Sequence, residues 1–154
     1  MNIADLLTPE GVLANLRVAS KKQALQELAR RAAPLVGLHE RRIFEVLTER
    51  EHLGSTGVGM GIAIPHGKLP DLGRLFGLFA RLERPIDFAA VDDRPVDLVF
   101  LLLAPEAAGA DHLKALARIS RLLRNPLVCE KLRGTDKPEA LYVLLTDQAP
   151  SAAA

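Results

Sequence analysis

From Leu98 to Ala104 seven apolar residues follow one another without a break. A membrane span needs about 20, so this run has the length of a strand. Apolar residues occupy both of its faces, and a strand of that kind sits inside a sheet with helices covering each side. Candidate covering helices are present. Ser20-Lys21-Lys22-Gln23 has the form of a capping box, a hydroxyl with Gln three positions on. Behind it Leu25, Leu28, Ala29 and Ala32 recur at helical spacing, and Pro34 and Gly37 are expected to close that helix. A second helix is predicted from Glu40 to about His52, with Ile43, Val46 and Leu47 on one face and Gly54 stopping it. Ala110 to Leu123 reads as a third, and Pro126 to Leu132 and Pro138 to Leu145 as two shorter ones. Leu75 to Leu82 reads as another strand, and Pro85 to Pro95 as mostly loop. The expected class is α/β, a single domain over 1–147 with a mixed β-sheet flanked by helices. Residues 148–154 are expected to form a disordered tail.

Composition narrows the function classes. The 154 residues suit one domain, and 49% hydrophobic with 25% charged residues describes an ordinary globular chain. Twenty Lys and Arg stand against 19 Asp and Glu, a net charge of +1. That balance argues against a dedicated nucleic-acid binder. A single cysteine, Cys129, excludes an internal disulfide and a Cys-based zinc cage, and is most simply a core residue. Met1 to Glu10 include Asp5 and no basic cluster, unlike a secretory signal. A cytoplasmic protein without direct membrane insertion is expected.

Gly54-Ser55-Thr56-Gly57-Val58-Gly59-Met60-Gly61 places four glycines in eight residues, which means tight turns or backbone that approaches something closely. Ile62-Ala63-Ile64 is β-prone, and Pro65-His66-Gly67 breaks it. That order would present the His66 imidazole at a strand end beside backbone N–H groups, which favour anions. The alternative is a loop histidine without a task. His112 opens the helix from Ala110 and shares the stripe of Leu116, Ile119 and Leu123. It is either a half-buried capping residue or a neutral ring, kept so by the helix start, that offers an N–H to a phosphoryl oxygen. Arg50 lies on the apolar side of its helix with Val46 and Leu47. It either snorkels or pairs internally, or it aims a guanidinium at an anion above the glycines. His39 and His52, at helix ends among charged residues, read as capping or surface groups.

Several phosphate and metal motifs fail. Gly61 is followed by five residues before Gly67-Lys68-Leu69, one too many for a P-loop and without its hydroxyl. Gly57-Val58-Gly59-Met60-Gly61 closes one position early for a dinucleotide fingerprint. No two histidines lie within four residues of each other, so no local zinc pair exists, and no Gly-x-Ser-x-Gly elbow occurs. A phosphoryl group carried on histidine would use what remains, namely two histidines, an arginine and an anion-friendly backbone. Such transfer needs chiefly positioning and charge stabilisation, and no metal or cofactor is expected.

Glu51, the six residues His52 to Gly57, then Val58, Gly59, Met60, Gly61, Ile62, Ala63, Ile64, Pro65, His66 and Gly67 fit every constrained position of a 17-residue pattern. That pattern resembles the signature of the mannitol/fructose-type enzyme IIA domains of the bacterial phosphotransferase system. Arg50-Glu51, Gly54-Ser55-Thr56-Gly57, Ile62 to Leu69, Asp111 to Leu116, Leu6-Leu7-Thr8-Pro9 and Ser20-Lys21-Lys22 resemble the nitrogen-regulatory branch, enzyme IIA-Ntr. The likeness runs from about Ile3 to Thr146.

The resemblance implies the enzyme IIA mannitol/fructose-like fold and a phosphohistidine at His66, through Nε2. It implies that His112 steadies the phosphoryl group and that Arg50 contacts that group or the partner. Ser55, Thr56, Gly57, Gly59, Gly61 and Gly67 would shape the pocket. Glu51 would support it by orienting Arg50. Met60 stands where many members carry a polar residue, and suggests a contact surface. The implied donor is an HPr-like carrier (NPr), with enzyme I-Ntr and phosphoenolpyruvate upstream, and the implied output is regulation through phosphorylation state. Two other readings stay open: a sugar-uptake enzyme IIA that passes phosphoryl to a transport subunit, and an anion-binding regulatory module without transfer. The sequence shows neither a fused acceptor domain nor a membrane segment, and this weighs against the first of them.

Overall fold

The computed structural model describes residues 1–147; the expected tail at 148–154 lies outside the described residues. Along the chain come β1 (Val12–Leu16), α1 (Lys21–Val36), α2 (Glu40–His52), β2 (Gly57–Gly59), β3 (Ile62–Ala63), β4 (His66–Leu69), β5 (Phe76–Ile86), β6 (Val96–Pro105), α3 (Ala110–Leu123), α4 (Pro126–Arg133) and α5 (Pro138–Thr146). Short 3₁₀ turns at Ile3–Asp5 and Pro9–Gly11 precede β1.

The strands form one mixed sheet in the order β1-β5-β6-β3-β2, with β4 also paired to β6. β5 and β6 are antiparallel, whereas β1 runs parallel to β5 and both β3 and β4 run parallel to β6. β6 is the inner strand its sequence predicts. Leu98, Phe100 and Leu102 point into one core, shared with Ile119 and Leu123 of α3 and Leu141 of α5. Val99, Leu101 and Leu103 point into the other, shared with Leu25 and Leu28 of α1 and Ile43 and Leu47 of α2. Period-two alternation thus splits one apolar run between two helix-covered layers.

Helix boundaries follow local chemistry. Ser20 caps α1 by accepting from the Gln23 N–H at 3.2 Å, and Gln23 returns a bond to the Ala19 N–H at 2.8 Å. Caps of this kind are worth about 1 kcal/mol. Pro34 does not close α1 as expected. The helix continues through it to Val36 and stops at Gly37, left-handed at φ 71°, whose N–H bonds to the Ala33 carbonyl. His39 caps α2, its Nδ1 accepting from the Arg41 N–H at 3.1 Å. β5 extends past the expected Leu82 to Ile86 and leaves a loop at 87–95.

β3 and β4 lie end to end along the same side of β6. Ile62 stands opposite Leu98 and His66 opposite Leu102, so the register is unchanged across Ile64-Pro65. Pro65 has no N–H to give the ladder, but its carbonyl accepts from the Leu102 N–H at 3.0 Å. His66 therefore begins a strand and does not lie in a loop.

Candidate functional site

β4 is pressed tightly under α2. A Cβ at Gly67 would stand 2.3 Å from Val46 Cγ1, so glycine is what lets helix and strand meet. Alternation then turns His66 to the opposite face from Gly67, toward the start of α3. There the ring meets His112, with centroids 5.5 Å apart and planes at 51°. Arg50 reaches the same point from the last turn of α2. Its Nε–H donates to His66 Nε2 at 3.1 Å and its Nη1 to the Gly54 carbonyl at 2.9 Å. The three residues singled out in the sequence, Arg50, His66 and His112, thus meet in one open cleft of about 770 Å³.

The ring geometry defines the chemistry of His66. Its Nδ1 lies 2.8 Å from the Ile64 carbonyl oxygen. A carbonyl only accepts, so Nδ1 carries the proton and Nε2 keeps its lone pair. The bond from Arg50 to Nε2 fits the same tautomer. Burial pushes the imidazole below the ordinary histidine range. The Ile64 carbonyl pulls it upward, and the Arg50 charge adds to the lowering. His112 is also held low, by burial first and then by His66 and Lys68. Two neutral rings consequently face each other beside a guanidinium. The Nε2 atom of His112 is buried and has no hydrogen-bond partner among the described residues, an unusual state for a buried polar atom.

Gly67 lines the cleft, but the other residues expected to shape it do not. Ser55 donates its hydroxyl to the Phe88 carbonyl and accepts from the Gly57 N–H. Thr56 is buried and donates both its N–H (3.0 Å) and its hydroxyl to the Glu51 carboxylate. Gly57 packs on Ala90, Gly59 (φ 105°) beside Asp92, and Gly61 (φ 82°) against Arg133 and Asp97. These glycines permit close packing at the β2–β3 hairpin and do not form a cradle at His66. Glu51 is buried and bonds to Thr56 and to Lys21 Nζ at 2.8 Å, not to Arg50. Met60 is exposed, at φ 58° at the hairpin tip.

The cleft also holds residues the sequence reading passed over: Arg42, Leu53, Lys68 and Glu106. Lys68 had a signal, because a strand starting at His66 puts residue 68 on the histidine's face. With Arg50 and Arg42 it gives the cleft cations suited to phosphoryl oxygens. Among the described residues no group of three or more His, Cys, Asp or Glu is placed to hold a metal ion, and no helix is long and apolar enough to cross a membrane.

Residues 5–148 match the family described as "Phosphoenolpyruvate-dependent sugar phosphotransferase system, EIIA 2". The chain belongs to this family. A nitrogen regulatory protein of Bradyrhizobium diazoefficiens is 64% identical to this EIIA type-2 chain over 145 residues, spanning 94% of it and 95% of the relative. A nitrogen regulatory protein of Escherichia coli (strain K12) is 40% identical over 148 residues, 96% and 91% of the two chains. The crystal structure of nitrogen regulatory protein IIA-Ntr from Neisseria meningitidis has a TM-score of 0.89 at 34% identity, covering 94% of this chain and 99% of that one. Within EIIA type-2, these likenesses put the chain in the nitrogen-regulatory branch.

Proposed function

We propose that this EIIA type-2 protein accepts a phosphoryl group on His66 Nε2 from the phosphohistidine of an HPr-like carrier (NPr), and regulates partners in the cytoplasm through its phosphorylation state. Enzyme I-Ntr and phosphoenolpyruvate stand upstream. The observation that carries the reading is the anchored ring: Nδ1–H held by the Ile64 carbonyl, with the Nε2 lone pair on the cleft side beside Arg50.

In the transfer the Nε2 lone pair bonds to phosphorus as the carrier's N–P bond breaks, and that electron pair returns to the carrier ring. Positive charge that develops on the His66 ring is shared with the Ile64 carbonyl through Nδ1–H. Arg50 leaves the lone pair and turns its N–H groups to the phosphoryl oxygens. His112 brings its unpartnered nitrogen to a second oxygen, which supplies the hydrogen bond it lacks. The product adds a charge of about −1.5 to −2 to the cleft and so changes which surfaces dock there.

Incubation with phosphoenolpyruvate, enzyme I-Ntr and NPr tests this. Acid-labile phosphate should enter the protein and be absent from His66→Ala. Incorporation that persists in His66→Ala contradicts the proposal. Reversible phosphate binding without a covalent product would support the anion-binding reading in its place.

A further inference from the structure

Lys21 is the first residue of α1, and its Nζ ammonium bonds to Glu51 Oε1 at 2.8 Å while lying 4.8 Å from the Phe88 ring centroid. A helix start is an unfavourable place for a cation. Here the cation compensates a buried carboxylate, since Glu51 is only 9% exposed. Glu51 in turn takes both donors of Thr56. The Thr56 carbonyl accepts from the Ile64 N–H at 2.9 Å, and the Ile64 carbonyl accepts from His66 Nδ1–H at 2.8 Å.

Ile64 sits where the ladder along β6 is interrupted between β3 and β4. Its N–H is held by Thr56 from the hairpin side. The residue that sets the His66 tautomer is thus clamped through Thr56, and Thr56 is clamped by Glu51. Without Lys21, Glu51 would be a buried carboxylate lacking its counter-charge, which is strongly disfavoured. It would draw in water, and its hold on Thr56 would loosen.

We propose that Lys21 is a positioning residue for phosphoryl acceptance. It acts through Glu51, Thr56 and Ile64 to hold the His66 ring in the Nδ1–H tautomer with Nε2 toward the cleft. For its consequence on transfer the proposal rests on the function proposed above; its effect on the ring does not.

The test compares the intact protein with Lys21→Met and Lys21→Arg. Ring-nitrogen NMR of unphosphorylated His66 reads the tautomer, and the rate of phosphoryl uptake from phosphorylated NPr reads the consequence. Lys21→Met should raise the share of Nε2–H tautomer and slow uptake about fivefold to tenfold, the scale of one hydrogen bond. Lys21→Arg, which keeps the charge, should restore both. If Lys21→Met does not fold, Thr56→Val removes only the hydroxyl bond to Glu51 and should shift the tautomer in the same direction. A folded Lys21→Met or Thr56→Val with the wild-type tautomer balance overturns the proposal. A wild-type protein that takes up no phosphoryl, yet shows the tautomer shift in Lys21→Met, overturns the proposed function and leaves the positioning role standing. Slow uptake in Lys21→Met with an unchanged tautomer overturns the positioning role alone.

Discussion

The close approach of β4 and α2 makes Gly67→Ala a sharp probe of how His66 is presented. The added methyl would stand 2.3 Å from Val46 Cγ1, but 3.6 Å from Val46 Cβ and 3.8 Å from its backbone carbon. Carbon atoms sit comfortably at about 3.5–4.0 Å, so a gap of about 1.2 Å or more must open at a single atom. Val46 is β-branched and nearly locked in one rotamer within a helix, so its Cγ1 does not swing aside cheaply. The strand or the helix must shift, at a cost of roughly 1–3 kcal/mol for overpacking. In a domain of this size each 1 kcal/mol moves Tm by about 2–4 °C. Urea unfolding and a thermal scan measure the loss. Val46→Ala removes the offending atom and leaves ordinary contacts, so in that background Gly67→Ala should cost less than about 0.5 kcal/mol, a coupling well beyond additive scatter. An unchanged Tm in Gly67→Ala, or an equal cost in both backgrounds, refutes the packing argument.

Both cleft histidines are held below the ordinary value of about 6.5. The unfolded chain therefore binds more protons than the folded one just below that pH, and stability falls as pH drops from about 6.5 toward the folded values. Above that window these groups leave stability level. The urea midpoint should be lower at about pH 5.5 than at pH 7.5, with a smaller difference in His66→Gln/His112→Gln; an equal difference in that variant contradicts the assignment. His112→Ala should slow phosphoryl uptake roughly tenfold, and His112→Gln, which restores an N–H donor, should recover part of the rate. Uptake at the wild-type rate in His112→Ala would remove the ring from the site.

The α/β layering is legible because it rests on local pattern. The run through β6 carries its two-faced burial in its composition, and α2 and α3 show both their apolar stripes and their ends. Pro34 misleads because a proline in the last turn leaves few helical bonds to lose beyond it, and Gly37 is the actual stop. β1, β2 and β4 are hidden. All three are short; partners distant in sequence make β1 and β4 strands, Phe79 for Val12 and Leu102 for His66, and β2 pairs only with the two-residue β3 across a tight hairpin. The same distance explains the site. Arg50 and His112 carry helical phase that turns them inward, so their meeting with His66 can be anticipated. The glycines at 57, 59 and 61 look like a phosphate cradle when read alone. Their real neighbours, Ala90, Asp92 and Arg133, become visible only in the folded chain.

The most direct measurement is the position of the bond to phosphorus. Protein labelled with ¹⁵N in its histidine rings is phosphorylated through NPr and observed by nitrogen and phosphorus NMR. One-bond coupling of phosphorus to His66 Nε2, with Nδ1 still protonated, is the expected result. Phosphorus bonded to Nδ1 of that ring, to another histidine, or to no ring nitrogen at all would contradict the proposed chemistry.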